Sequence, residues 1–260
     1  MLKIYSKVKF PKVLKDYEIR NFFLSKGLLK TLELRKKKHL YQANLRDLYR
    51  LYQFIFLNKR ITVLEFGSGY SSLIIAHSLL LLKKNFAIEV KKIRTTHAFE
   101  LFILENEKNF LQITKNRIKR FFKKETIKIH YYLSTVKMIM FRGFFATEYY
   151  QLPQCNPDFI YIDGPDQFKV KNKQSGITVA HKDMMPMICD ILKFEYFYTP
   201  GTIIIVDGRS ANAKFLLDNL KRNWLYKNDK RFDQHIFYLD DPVLGYYNQQ
   251  QINFYKNSLK

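Results

Sequence analysis

Apolar residues recur at three- and four-residue steps at Leu40, Leu45, Leu48, Leu51, Phe54 and Ile55, the spacing of one buried stripe on a helix. Residues 1–60 therefore read mainly as helical. The pattern then changes. Residues 61–66 form a short β-rich run, Ile-Thr-Val-Leu-Glu-Phe, stopped by Gly67, Ser68 and Gly69. An apolar helix is predicted over 73–82, with Ser71 or Ser72 as its cap. Strand, glycine turn and helix make the first half of a βαβ unit.

The alternation continues downstream. A strand over 99–104 ends at Glu105, an amphipathic helix follows over 107–122, and the next strand is predicted over 127–133. Residues 158–162 are nearly all apolar and stop at Asp163, Gly164 and Pro165. A helix is predicted over 184–194. The most strand-like run, 202–206, ends at Asp207 and Gly208, and a helix over 211–220 follows with Ser210 as its cap. Residues 232–239 and 250–255 read as closing antiparallel strands. Strands apolar on both faces belong inside a parallel sheet covered by helices. The prediction is a doubly wound α/β domain over 59–260, preceded by a helical N-terminal extension over 1–58.

Composition narrows the class. A hydrophobic share of 47% suits a globular chain and excludes a collagenous or disordered one. The longest apolar stretch, 73–82, contains His77 and Ser78 and falls far short of the ~20 residues that span a bilayer. Residues 1–18 are charged throughout, without the apolar centre of a signal peptide. Two cysteines, Cys155 and Cys189, are too few for a disulfide framework and lack metal-ligand spacing. Together these lead us to expect a cytoplasmic protein without a membrane span. The net charge of +22 admits two explanations. One is a polyanionic partner. The other is lysine scattered by AT-rich codons, with clusters only at 34–39 and 119–124. Charge alone leaves both open.

Candidate chemistry gathers at the strand ends. In sheets of this kind ligands lie beyond the carboxyl ends of the strands. Glu65, Glu105, Asp163 and Asp207 all fall there. Acids repel one another, so such a gathering asks for a cation or a hydroxyl-rich ligand. Gly67 and Gly69 permit close approach to the backbone. The turn departs from the dinucleotide pattern, because Ser72 stands at the third glycine position. An acid two residues before the first glycine suits a ligand carrying positive charge.

The run from Val63 to Ser72 resembles the first motif of class I S-adenosylmethionine-dependent methyltransferases, acid-x-Gly-x-Gly. The resemblance extends over about residues 45–225, with Asp163 at the fourth-strand motif and Gly201-Thr202 opening the fifth strand. It implies a Rossmann-like methyltransferase fold with a mostly parallel seven-stranded sheet. It also implies S-adenosylmethionine as methyl donor, held by Glu65, Gly67, Ser68, Gly69, Glu105, Ser134 and Asp163. Glu65 would lie near the donor's amino group, and Ser134 near the adenine. For the acid that holds the ribose hydroxyls, Glu89 competes with Glu105. Glu105 is preferred, because a helix and a strand follow it in the required order.

The acceptor side is less defined. By motif order the chain resembles the catechol O-methyltransferase-like branch, in which acids at the ends of strands four and five hold a divalent cation. Asp163 and Asp207 are then the candidate magnesium ligands, with Gly208 where that branch has Asn and Asn212 as a substitute. The competing reading has Asp163 ordering a turn and Asp207 capping a helix. Asp166 stands where the branch has a basic lysine, and is a candidate third ligand or general base. Asp163, Asp166 and Asp207 are thus the candidate catalytic residues. His181 as a base, Arg209 as an anion site and Tyr70 as a cover for the donor are weaker candidates. The expected function is methylation of a small-molecule or sugar hydroxyl. The alternatives are an RNA or other nucleic-acid methyltransferase, which is not favoured, or a non-catalytic domain of the same fold.

Overall fold

The computed structural model describes residues 2–33, 42–122 and 127–256. The basic run at 34–39 and Lys123 and Lys124 of the second run lie outside the described residues. Three helices come first: α1 (Asp16–Ser25), α2 (Leu29–Leu32) and α3 (Leu45–Leu57). Then follow β1 (Thr62–Phe66), α4 (Tyr70–Val90), β2 (Glu100–Glu105), α5 (Lys108–Phe121) and β3 (Ile129–Leu133). A hairpin of β4 (Val136–Phe141) and β5 (Phe144–Tyr149) precedes β6 (Phe159–Ile162). The chain closes with α6 (Asp190–Phe194), β7 (Ile203–Asp207), α7 (Ser210–Asn219), β8 (Trp224–Asp229), β9 (Gln234–Leu239) and α8 (Tyr246–Lys256).

Seven strands form one sheet in the order β3-β2-β1-β6-β7-β9-β8. Only β9 runs against its neighbours. The doubly wound, mostly parallel sheet expected from the sequence is therefore present. β1 and β6 are buried along their whole length, which is why they read as unbroken apolar runs. Alternate residues feed two cores. Val63, Leu101, Ile103, Phe159, Tyr161, Ile203 and Ile205 join the core under α3, α4 and α5. Leu64, Phe66, Phe102, Leu104, Ile160, Ile162, Ile204 and Val206 join the one that also takes in the hairpin, α6 and α7. Each fully buried aliphatic side chain contributes about 1.5–3 kcal/mol.

The N-terminal helices belong to the first of these cores. Ile4, Val8, Ile19, Phe23, Leu28 and the buried face of α3 pack in one cluster with β1 and α4. Asn44 starts α3 by accepting the backbone N–H groups of Arg46 and Asp47. Arg50, 3% exposed, anchors α3 across the sheet. Its guanidinium donates to Gln234 Oε1 and Asp229 Oδ2, each at 2.7 Å, and lies 3.8 Å from the Phe232 ring centre.

Several local expectations are corrected. Residues 250–255 are helical, within α8, because Asn248, Ile252 and Tyr255 bury one helix face. The helix expected over 184–194 begins only at Asp190. The hairpin of β4 and β5 and the edge strand β8 were not anticipated. Ser210 does not cap α7: its hydroxyl goes instead to Asp233 Oδ1 (3.0 Å) and His235 Nε2 (2.8 Å). Gly69 is the cap position of α4, and Ser72 reaches back to accept its N–H at 3.1 Å.

Candidate functional site

The parallel register lines up the strand-end acids. Phe66 stands opposite Leu104 and Ile162, and Ile162 opposite Val206. The ladder runs one residue further: Gly67 donates to the Leu104 carbonyl at 2.8 Å, and Asp163 to that of Phe66 at 3.0 Å. Glu105, Gly67, Asp163 and Asp207 therefore form one row along the carboxyl edge. By strand alternation this row continues the face covered by α3 and α4. A cavity of about 500 Å³ opens there. Gly67, Ser68, Gly69, Glu105, Asp163, Asp166 and Asp207 all line it, and the start of α3 closes one side with Asn44, Asp47 and Leu48. Its size is that of a site for a nucleoside-sized ligand.

The two glycines serve different ends. Gly67 has φ +102°, and a Cβ on it would stand 2.9 Å from the Gly164 backbone nitrogen. Gly69 is extended at φ 174°, and its Cβ would meet nothing closer than Ser71 Oγ at 3.8 Å. Neither strain nor packing within the chain requires glycine at 69. What a side chain there would obstruct is the cavity.

Glu65 is fully buried and does not itself line the cavity; Ser71 stands between. Its carboxyl accepts the hydroxyls of Ser71 and Ser72, the latter at 2.6 Å. Burial pushes its pKa up to about 8, and neighbouring Asp163 and Glu105 add to the rise. Glu105 lines the cavity with one oxygen on the Ser68 hydroxyl (2.8 Å) and the other on the N–H groups of Asn106 (2.7 Å) and Glu107 (2.9 Å). Burial raises its pKa against those bonds. Glu89 is exposed on the last turn of α4, away from the strand ends, and does not line the cavity. Ser134 does not line the cavity either, and its hydroxyl accepts the Gln151 N–H at 2.9 Å.

Asp163 opens onto cavity solvent yet is hemmed in by protein. That enclosure pushes its pKa up to about 7; Arg209 opposes the rise, while Asp207, Asp47 and Glu105 reinforce it. Asp207 accepts the Tyr161 hydroxyl, and burial raises its pKa too. Asp47, which nothing in the sequence marked, faces the same acids from α3, and burial followed by Asp207 raises its pKa to about 6. Arg209 donates from Nη2 to the carbonyls of Asp163 (2.7 Å) and Pro165 (3.1 Å) and so clips that turn. His181 lies outside the cavity beside Asp183. Tyr70 lines the cavity beneath the Arg117 guanidinium, which lies 3.8 Å from its ring centre.

The residues do not fit a magnesium site. Hard cations require several oxygen ligands at once. Asp207 is engaged by Tyr161, and Asp166 Oδ1 accepts the N–H of Phe168 at 2.9 Å. Gly208 has no side-chain ligand to offer, and Asn212 turns away to accept the Ile188 N–H at 3.0 Å. Among the described residues no group of three His, Cys, Asp or Glu side chains is placed to hold a metal.

No protein-family profile and no curated protein matches the chain. Among solved structures it is similar to the O-methyltransferase TomG of Streptomyces achromogenes, involved in tomaymycin synthesis and solved with S-adenosylmethionine (SAM). There the identity is 11%, with 92% of this chain and 95% of that one covered at a TM-score of 0.40. It is also similar to the Podospora anserina methyltransferase PaMTH1, solved with S-adenosylhomocysteine (SAH; 14%, 92% and 94%, 0.43). A third is the C-terminal domain of precorrin-6Y C5,15-methyltransferase from Rhodobacter capsulatus (11%, 78% and 90%, 0.38). The sheet order, the single reversed strand and the glycine turn after β1 give this chain a doubly wound, Rossmann-like fold.

Proposed function

We propose that the chain is an S-adenosylmethionine-dependent methyltransferase acting on a hydroxyl of a small molecule. The observation that carries this is Gly69, a glycine the protein's own packing does not need, beside a cavity bordered by Glu105 and Asp163. The backbone at Gly67 and Gly69 holds the donor, Glu105 accepts its ribose hydroxyls, and Glu65 fixes the Ser71 hydroxyl at the cavity wall. When bound, the donor would supply a methyl group carried on a sulfonium, for transfer to an acceptor oxygen with the carbon–sulfur electron pair left on sulfur.

The chain's own residues do the rest. With a pKa near 7, Asp163 is divided between its two protonation states at neutral pH. That is the range in which a carboxylate works best as a general base, and Asp163 receives the acceptor proton. Asp207 and Tyr161 hold the acceptor oxygen's far side, and Asp47 hydrogen-bonds further hydroxyls from α3. The wall of carboxylates favours a neutral or cationic acceptor and opposes a polyanion, so nucleic acid remains the disfavoured alternative. Incubation with radiolabelled donor and panels of polyols, phenols and RNA tests this. Label transfer to a hydroxyl compound is expected; transfer to RNA alone would reverse the reading.

A further inference from the structure

Positive charge is gathered, without acids, along one flank of α5. This helix carries Lys108, Lys115, Arg117, Lys119 and Arg120 and no carboxylate. At 3.6 residues per turn, Lys108, Lys115 and Lys119 fall within about 40° of one another and form a stripe about 16 Å long. Ile113 and Arg117, which line the cavity, leave the far side of the helix. Lys108 and Lys119 are exposed. Lys115 is half-buried, its Nζ 5.0 Å from the Tyr131 ring centre. That contact sets the stripe beside β3, the edge strand of the sheet, which carries no acid either. Among the described residues none of the three lysines is ion-paired. The neighbouring acids Glu100 and Glu107 are taken by Lys128 and Lys169.

Such a row is unfavourable when left alone. Like charges at 115 and 119, four residues apart on a helix, repel. Lys108 stands in the first turn, where the helix dipole opposes a cation. A row of anions relieves both. Gln112 stands between the lysines, and its amide nitrogen donates to Asn116 Oδ1 at 3.1 Å. Its amide oxygen is left to accept a hydroxyl. We propose that this flank of α5 docks a single strand of RNA, with phosphates along Lys108, Lys115 and Lys119 and a ribose 2′-hydroxyl on Gln112. A narrow polar stripe matches one strand, whereas a lipid surface calls for exposed apolar residues to insert. RNA is here a bound partner and not the methyl acceptor, because the carboxylate-walled cavity opens on the other side of the helix. The inference stands independently of the donor reading.

Fluorescence anisotropy with labelled oligo(U) of about 12 nucleotides tests it. For three phosphate contacts on a single strand, log affinity should fall against log salt with a slope of about −2, so that binding weakens about 20-fold between about 50 and 200 mM salt. Lys115→Gln with Lys119→Gln should make the slope shallower by about 1.4. Lys119→Gln alone should take about 0.7 from it, and guards against a double variant that fails to fold. The exposed pair Lys12→Gln with Lys30→Gln, from the N-terminal helices, makes the same change of net charge and should leave binding unchanged. Oligo(dU), which lacks only the 2′-hydroxyls, should bind about threefold or more weakly, the worth of one hydrogen bond, and equally in Gln112→Ala. No binding of oligo(U) by the wild type overturns the proposal. So does an equal loss in the two lysine pairs, which would make the effect one of net charge, and so does equal binding of oligo(U) and oligo(dU) by the wild type.

Discussion

The backbones of Gly67 and Gly164 touch: a Cβ built on Gly164 would stand 2.6 Å from the Gly67 Cα and nitrogen. The turns after β1 and β6 are seated on each other. This contact brings Asp163 beside the glycine turn, and so fixes the geometry on which the site depends.

Gly164→Ala should therefore destabilise the fold by about 3 kcal/mol, as overpacking against backbone does. Gly69→Ala should change stability by no more than about 1 kcal/mol, since its extended backbone suits any residue, yet weaken donor binding at least tenfold. Urea unfolding and calorimetry on both variants separate the two roles. Equal stability losses at 164 and 69 would refute the distinction.

The buried acids set the pH dependence of stability. The Glu65 pKa is raised to about 8, so the folded state holds its proton more tightly than the unfolded chain. The stability this contributes is complete below the ordinary glutamate range and is lost as pH rises towards 8. Asp163 and Asp190, both raised to about 7, act with the same sign. Unfolding between pH 5 and 9 should show falling stability, and Glu65→Gln should flatten the fall. An unaltered slope in that variant would count against the burial argument.

Asp163→Asn should lower turnover about 10²- to 10⁴-fold, the usual worth of a positioned base. In the wild type kcat/KM should rise with pH through about 7 and level off above, because the base acts deprotonated. If Asp163→Asn kept the wild-type pH profile, another group would have to receive the proton.

Magnesium should be dispensable. Activity is expected to be unchanged by a chelator and by added magnesium, since Asp207, Asp166 and Asn212 are committed elsewhere. Strong stimulation by the ion would mean that these side chains reorganise around it.

What the sequence made legible follows from physics local to each segment. β1, β6 and β7 are hydrophobic on both faces, so their burial shows directly as apolar runs. The acids that end them mark the carboxyl edge. The β4–β5 hairpin turns at Arg142 and Gly143, both at positive φ, where the more telling Asn-Gly pair is absent. Ile252 and Phe254 fit strand alternation as well as a helix face, and only tertiary packing decides for α8. Asp47 and Arg117 lie outside the motif order. Asp47 reads as a helix-start acid and Arg117 as one basic residue among many. Only the packing of α3 and α5 over the sheet edge brings them to the cavity.

Donor binding tests the central claim most directly. Titration of S-adenosylmethionine into wild type, Glu105→Gln and Glu89→Gln should give one-to-one binding in the wild type. Glu105→Gln should lose about tenfold or more in affinity, and Glu89→Gln nothing, as befits an exposed residue of α4. An absence of binding heat in the wild type at millimolar donor, or an equal loss in both variants, would contradict the account.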